Sequence, residues 1–268
     1  MIYRDYMIVF ILVVFSTGFF MLHGNRKTQA SPISITVTYN NVPFKKQLRA
    51  AWGFSCLIEG TAQTILFDTG GNGQLLLENM TLLNKDPMEV KMVFLSHIHG
   101  DHTGGLEMFL RQNSDITVCL PESFPGSYKQ KILRYGANIK VIKDPTLLMK
   151  QAYSSGEMGR WIKEQALILR TTKGLVIITG CSHPGIVNIV RKAHEHFVDT
   201  VYLVMGGFHL SGMSYEKIMK ILEALKKLGV KKVAPSHCTG NKAISLFRQA
   251  WRDRFLEGGL GAIIRISQ

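Results

Sequence analysis

Apolar and polar positions alternate with a period of two over Ile35–Tyr39, the pattern of a half-buried strand. Two short apolar runs, Phe54–Ile58 and Thr64–Phe67, flank the polar Glu59–Gln63 and predict a hairpin. Ala166–Arg170 and Leu175–Thr179 predict a second one around Thr172-Lys173-Gly174. Val90–Leu95, Ile116–Leu120, Ile139–Ile142, Thr200–Met205, Lys232–Pro235 and Ala262–Ile266 read as further strands. Between them the apolar period lengthens to that of a helix over Gln74–Leu83, Gly105–Arg111, Ser127–Tyr135, Tyr215–Leu228 and Ala243–Trp251. Ile186, Ile189, Val190 and Ala193 share one face of another helix, with Pro184 suited to its first turn. Ser214 is a natural N-cap and Gly229 a natural stop for the helix between them. Asp144–Lys163, which holds Ser154-Ser155-Gly156 and Trp161, has no regular period and reads as an irregular segment walling a pocket. Strands alternating with helices, with a hairpin opening each half, predict one α/β domain: two mixed sheets packed together with helices on the outer faces.

The first thirty residues stand apart. Met7–Leu22 is uncharged and apolar, and His23–Ala30 after it is polar. Its place at the chain end and lack of a polar face predict a signal peptide or an N-terminal membrane anchor over residues 1–30. That reading puts the catalytic domain, 31–268, outside the cytoplasm, and has the N-terminal segment touch the membrane. Arg4 and Asp5 before the run and Arg26 and Lys27 after it leave its orientation open. The hydrophobic fraction, 46% of 268 residues, suits one sizeable core. The formal net charge of +13 favours an anionic partner. Lys226-Lys227 and Lys231-Lys232 flank a helix end as a solvated face, and no block of basic residues marks a specific nucleic-acid site. Nothing in the pattern sets the oligomeric state. Cys56 and Cys119 lie in apolar strands and belong to the core, whereas Cys181 and Cys238 each lie within two positions of a histidine.

Ser96-His97-Ile98-His99-Gly100-Asp101-His102-Thr103-Gly104-Gly105 follows the strand Val90–Leu95. Two imidazoles separated by one residue can close on one metal, and the adjacent aspartate and imidazole on a second beside it. Imidazole with carboxylate suits Zn²⁺, one ion or two, with Mn²⁺ or Fe as alternatives. Asp68, His183, His209 and His237 each sit just past another strand end, so that the loops can meet on one edge. His194 and His196 fall on a helix and are expected at the surface.

Phe67-Asp68-Thr69-Gly70, the His97–His102 cluster and the later histidines together resemble the metallo-β-lactamase superfamily, over about Ile35 to Ile266. Glu164-Gln165-Ala166-Leu167, Thr179–Ile186, Gly206–Leu210 and Pro235–Gly240 resemble its branch labelled 7,8-dihydropterin-6-methyl-4-(β-D-ribofuranosyl)aminobenzene-5′-phosphate synthase. The resemblance implies an αββα sandwich with a metal centre at one edge. It implies His97 and His99 in a first metal site, and Asp101, His102 and His237 in a second. Where the hydrolases usually carry Thr-Gly-Asp, this chain has Thr179-Gly180-Cys181. His183 is then the replacement ligand for the first site, with Cys181 a possible thiolate ligand. Asp68 is expected to hold a ligand imidazole by hydrogen bonding. Asp101 and His209 are the catalytic candidates, Asp101 orienting the attacking water and His209 protonating the leaving oxygen or touching substrate.

The activity expected is metal-assisted hydrolysis, or a related synthase reaction, on an anionic small molecule such as a phosphoester or a pterin/ribosyl-phosphate compound. A β-lactam or lactone hydrolase is an alternative. A metal-binding sensor or partner-binding module without turnover is the alternative of another class.

Overall fold

The computed structural model describes residue 2 and residues 32–268. Strands β1 (Ile33–Asn40), β2 (Phe54–Glu59), β3 (Thr64–Phe67), β4 (Val90–Phe94), β5 (Thr117–Pro121) and β6 (Asn138–Ile142) belong to one sheet. Strands β7 (Thr146–Met149), β8 (Ala152–Ser154), β9 (Leu167–Thr171), β10 (Gly174–Thr179), β11 (Val201–Gly207) and β12 (Lys232–Ser236) form the other. The last strand, β13 (Ile263–Ile266), returns to the first sheet and pairs antiparallel with β1. The strand orders are β13-β1-β2-β3-β4-β5-β6 and β12-β11-β10-β9-β8-β7.

Three apolar layers set this architecture. Alternate residues of both sheets, among them Ile35, Phe54, Phe67, Leu167, Ile178 and Met205, face one another and form the central layer. The opposite face of the first sheet packs on helices α1 (Gly73–Leu82), α3 (Leu106–Gln112) and α4 (Gly126–Arg134) through Leu76, Phe109 and Ile132. The opposite face of the second sheet packs on α5 (Ile186–Phe197), α6 (Tyr215–Lys227) and α7 (Asn241–Trp251) through Ile189, Leu222 and Phe247. A four-residue turn of helix, α2 (Gly100–Thr103), lies inside the histidine cluster. The result is the expected sandwich of two mixed sheets between helical layers.

Strand register brings the candidate residues together. β3 and β4 run parallel with Phe67 level with Phe94, and the Asp68 N–H donates to the Phe94 carbonyl at 2.8 Å. Asp68 and the Ser96–His102 segment therefore leave the first sheet side by side. β10, β11 and β12 are also parallel, with Thr179 level with Gly206 and Gly207 level with Ser236. The segments carrying Cys181–His183, His209 and His237 leave the second sheet at one edge. Both predicted hairpins are present, and Ser214 caps α6 by accepting the Lys217 N–H at 3.4 Å. Cys56 and Cys119 are buried, and His194 and His196 are exposed on α5.

Five expectations change. Asp144–Lys163 is not irregular throughout: it holds β7 and β8, which pair antiparallel at the edge of the second sheet. These strands are too short for a period to show. Pro184 lies before α5, which begins at Ile186 after Gly185, whose φ of 91° is not helical. The transmembrane reading is overturned, because no helix among the described residues is long and apolar enough to cross a membrane. The sixteen uncharged residues of Met7–Leu22 fall short of the ~20 that a spanning helix needs. That segment lies outside the described residues. The membrane contact and the location outside the cytoplasm rested on it alone, and both fall with the anchor.

Candidate metal centre

At the shared edge of the two sheets, three of the imidazoles are oriented by a hydrogen bond on Nδ1. Asp68 is fully buried and accepts at 2.7 Å from the Ser96 N–H, from the Ser96 hydroxyl and from His102 Nδ1. The Ser96 hydroxyl has given its only hydrogen to Asp68, so it accepts from His97 Nδ1, 2.9 Å away. His237 Nδ1 donates to Asn41 Oδ1 at 2.6 Å. In all three rings the proton sits on Nδ1, and Nε2 presents a lone pair inward.

Those lone pairs converge. His102 Nε2 and His237 Nε2 are 3.2 Å apart, and His102 Nε2 is 3.2 Å from Cys181 Sγ. Asp101 Oδ2 lies 3.6 Å from His102 Nε2 and 3.3 Å from His237 Nε2. On the other side, His97 Nε2 stands 3.2 Å from His99 Nδ1. Ligand atoms at the ~2.0–2.1 Å that Zn²⁺ keeps from nitrogen are ~3.3 Å apart along a tetrahedral edge. Facing lone pairs at that spacing repel unless a cation lies between them. Two groups therefore suit a metal ion: Asp101, His102, Cys181 and His237, and then His97, Cys181 and His183, each with all its ligand atoms within 4.8 Å of one another. Cys181 belongs to both. His183 Nε2 is buried and has no hydrogen-bond partner, the state of a ligand atom aimed at an ion. The donor set of nitrogen, sulfur and one carboxylate fits Zn²⁺ well.

The electrostatics agree. Burial, together with the neighbouring imidazoles, holds His97 well below the usual histidine value. Burial brings His183 down to about 4. Both rings are neutral, as ligation requires. Burial acts the same way on His102, but Asp68 outweighs it and raises this ring. Burial would raise Asp101, yet the His237 and His102 imidazoles beside it hold its carboxyl below the ordinary range.

Backbone geometry around the centre is tight. Asp68, Ser182, His209 and His237 all have φ between 51° and 62°, a left-handed conformation that costs a non-glycine residue ~1–3 kcal/mol. A Cβ on Gly180 would lie 2.1 Å from Ser96 Oγ and 3.1 Å from His97 Nδ1, so only glycine lets β10 approach the cluster.

The predicted residues fall into place unevenly. His97, His99, Asp101, His102, Cys181, His183 and His237 converge, and Asp68 supports them from behind. His99 is half-buried and touches His97, but it does not share the His97–Cys181–His183 group. His209 is exposed, its ring centroid lies 4.5 Å from that of His183 with the planes tilted by 54°, and it groups instead with Cys181 and Cys238. Hydrogen bonding from Cys181 and then from His209 lowers the Cys238 thiol, while that of Cys181 is raised.

Three residues were missed in this role. Asn41 orients His237, and Gln165 ties the halves by donating to the Leu95 carbonyl at 2.8 Å. Glu164 is the third: one oxygen accepts the N–H groups of Gly180, Cys181 and Ser182 at 3.1, 2.9 and 2.8 Å. Its other oxygen accepts that of His183 at 2.8 Å. The signal available was the Glu164-Gln165-Ala166-Leu167 run, which carries two of the three.

Comparison with known proteins bears on the same residues. The family described as "Metallo-beta-lactamase superfamily" matches residues 53–237. A Methanocaldococcus jannaschii protein named 7,8-dihydropterin-6-methyl-4-(β-D-ribofuranosyl)-aminobenzene-5′-phosphate synthase is 35% identical, covering 84% of this chain and 92% of that one. The crystal structure of Tm1679, described as a metal-dependent hydrolase of the β-lactamase superfamily, superposes with a TM-score of 0.74 at 30% identity, over 88% of this chain and all of the other. The YhfI protein of Bacillus subtilis shares the fold at 13% identity, with a TM-score of 0.60 over 88% of this chain and 100% of its own. The histidine-rich edge lies within the matched stretch, and on both counts the chain belongs to the metallo-β-lactamase superfamily.

Proposed function

We propose that residues 31–268 are a metal-dependent hydrolase, or a closely related synthase, that activates water against an anionic small molecule. The observation that carries this reading is the set of inward Nε2 lone pairs on His97, His102 and His237, spaced as the edges of a metal's coordination shell. Asp101, His102, Cys181 and His237 would hold one ion, and His97, His183 and Cys181, with His99 beside them, the other. Bound there, Zn²⁺ would act as a Lewis acid that brings water near a pKa of ~7 and polarises the bond to be broken.

The protein's own groups do the rest. Asp68 fixes the His102 ring and its tautomer. Asp101 is ionised and half-exposed, and orients the attacking water by accepting a hydrogen bond from it. His209 is exposed at the rim, and its hydrogen bond with Cys238 raises the ring above the usual histidine value. It therefore holds a proton for the departing oxygen. The name of the archaeal relative supplies the candidate substrate class, a pterin or ribosyl-phosphate compound, and the net charge of +13 suits such an anion.

Metal analysis combined with turnover tests this. The purified protein should contain Zn²⁺, Mn²⁺ or Fe and hydrolyse bis(p-nitrophenyl) phosphate or p-nitrophenyl phosphate. Replacing both His97 and His99 with Ala should remove metal and turnover together. Unchanged turnover in that variant would overturn the reading, and activity confined to β-lactams would overturn the choice of substrate. A metallated protein inert across phosphoester, lactone and β-lactam probes would instead identify a metal-binding module.

A further inference from the structure

Glu164, which fixes the Cys181–His183 turn, is also the base of a tight hairpin whose tip has no part in the metal centre. Met158 and Glu164 exchange two backbone hydrogen bonds at 2.9 Å and close the loop 159–163. Gly159 makes the turn with φ of 99°, where a Cβ would lie 2.4 Å from the Ile162 carbonyl oxygen. Arg160 and Trp161 stand at the tip, and Trp161 is 94% exposed. An indole left in water contributes nothing to the core, yet this one is carried on a shaped turn. It lines a cavity of about 620 Å³, within the ~300–1,000 Å³ range of small-molecule sites. Met158, Arg160, Trp161 and Ile162 from the hairpin line it together with His183 and Asn188. The cavity therefore reaches the candidate metal centre through His183, and Glu164 hydrogen-bonds both to the hairpin and to the His183 turn.

We propose that this cavity binds the non-reacting part of the substrate, a planar aromatic ring bearing an anionic group, with the ring on Trp161 and the anion at Arg160. The proposal rests on the hydrolase reading and adds its specificity element. Arg160 is the one cationic side chain among the cavity's lining residues, and Met158 and Ile162 supply apolar contact beside the indole. A nucleic-acid strand would need a track of cations with successive stacking platforms, and a single Arg–Trp tip beside one open cleft is not one.

Two phosphonates that cannot be hydrolysed separate ring recognition from chemistry. Calorimetric titration of the metal-loaded protein should give 1-naphthylphosphonate at least about 10-fold tighter binding than propylphosphonate, the scale of one aromatic stacking contact. That ratio should fall towards one in Trp161→Ala and survive in Trp161→Phe. Arg160→Met should weaken both ligands by a similar factor and leave the ratio intact. Metal content equal to wild type in each variant establishes that the fold is kept. A ratio unchanged in Trp161→Ala overturns the proposal, as does tighter binding of an eight-nucleotide oligo(dA) than of the naphthyl ligand. Loss of the hydrolase reading is read separately, as absence of metal-dependent turnover in the wild-type protein.

Discussion

Asp68 sits behind the metal centre with no solvent contact, and its three accepted hydrogen bonds decide the tautomers of two rings. The Asp68→Asn variant keeps the shape but removes the charge, and puts an amide donor where Ser96 or His102 also donates. Metal affinity should fall by about 10- to 100-fold, the usual consequence of losing such a partner. Competition with a chelator of known affinity measures it, and an unchanged affinity would show that Asp68 only fills space. The histidines themselves were legible in the sequence because they cluster and follow apolar strands. Asn41 was not, since its partner His237 lies 196 positions away and nothing local to either residue announces the pair. Cys181 was legible as a departure from the superfamily's aspartate, but its place between two ligand groups is a fact of three-dimensional register.

At the scale of elements, the turn after β10 depends on one carboxylate. Glu164 accepts four consecutive backbone N–H groups, Gly180 to His183, and burial pushes its acid up to about 7. Gln at this position retains one accepting oxygen and presents an amide donor to the remaining N–H. Leaving that buried donor unpaired costs about 1–3 kcal/mol. The Glu164→Gln variant should therefore melt roughly 2–12 °C below wild type, given ~2–4 °C per kcal/mol for a domain of this size. It should also bind metal less tightly, because Cys181 and His183 ride on the turn. A melting temperature equal to wild type would mean that the turn stands without the acid. The strands and helices around it were legible because their periods extend over whole elements. β7 and β8 escaped, being three or four residues long, and so did the Arg160–Trp161 hairpin, whose closure rests on the single bridge between Met158 and Glu164.

For the molecule as a whole, the candidate metal centre is a seam. The first sheet and its loops supply Asp68, His97, His99, Asp101 and His102, and the second supplies Cys181, His183 and His237. β13 joins the sheets covalently by returning to β1, and the central apolar layer joins them by packing. At the edge itself, the inward nitrogens of His102 and His237 face one another across 3.2 Å, so these rings add no attraction to the Gln165–Leu95 hydrogen bond that ties the halves. An ion bound there attracts both sides and favours the folded state by mass action. At a free metal concentration one hundred times its Kd this is about 2.7 kcal/mol, which is roughly 5–10 °C of melting temperature. Chelation with EDTA should lower the melting temperature by that amount, and added Zn²⁺ should restore it. The His97→Ala/His99→Ala variant should respond less, because one side of the seam has lost its ligands. An identical melting temperature with and without chelator would mean that the sheets are held by their core alone.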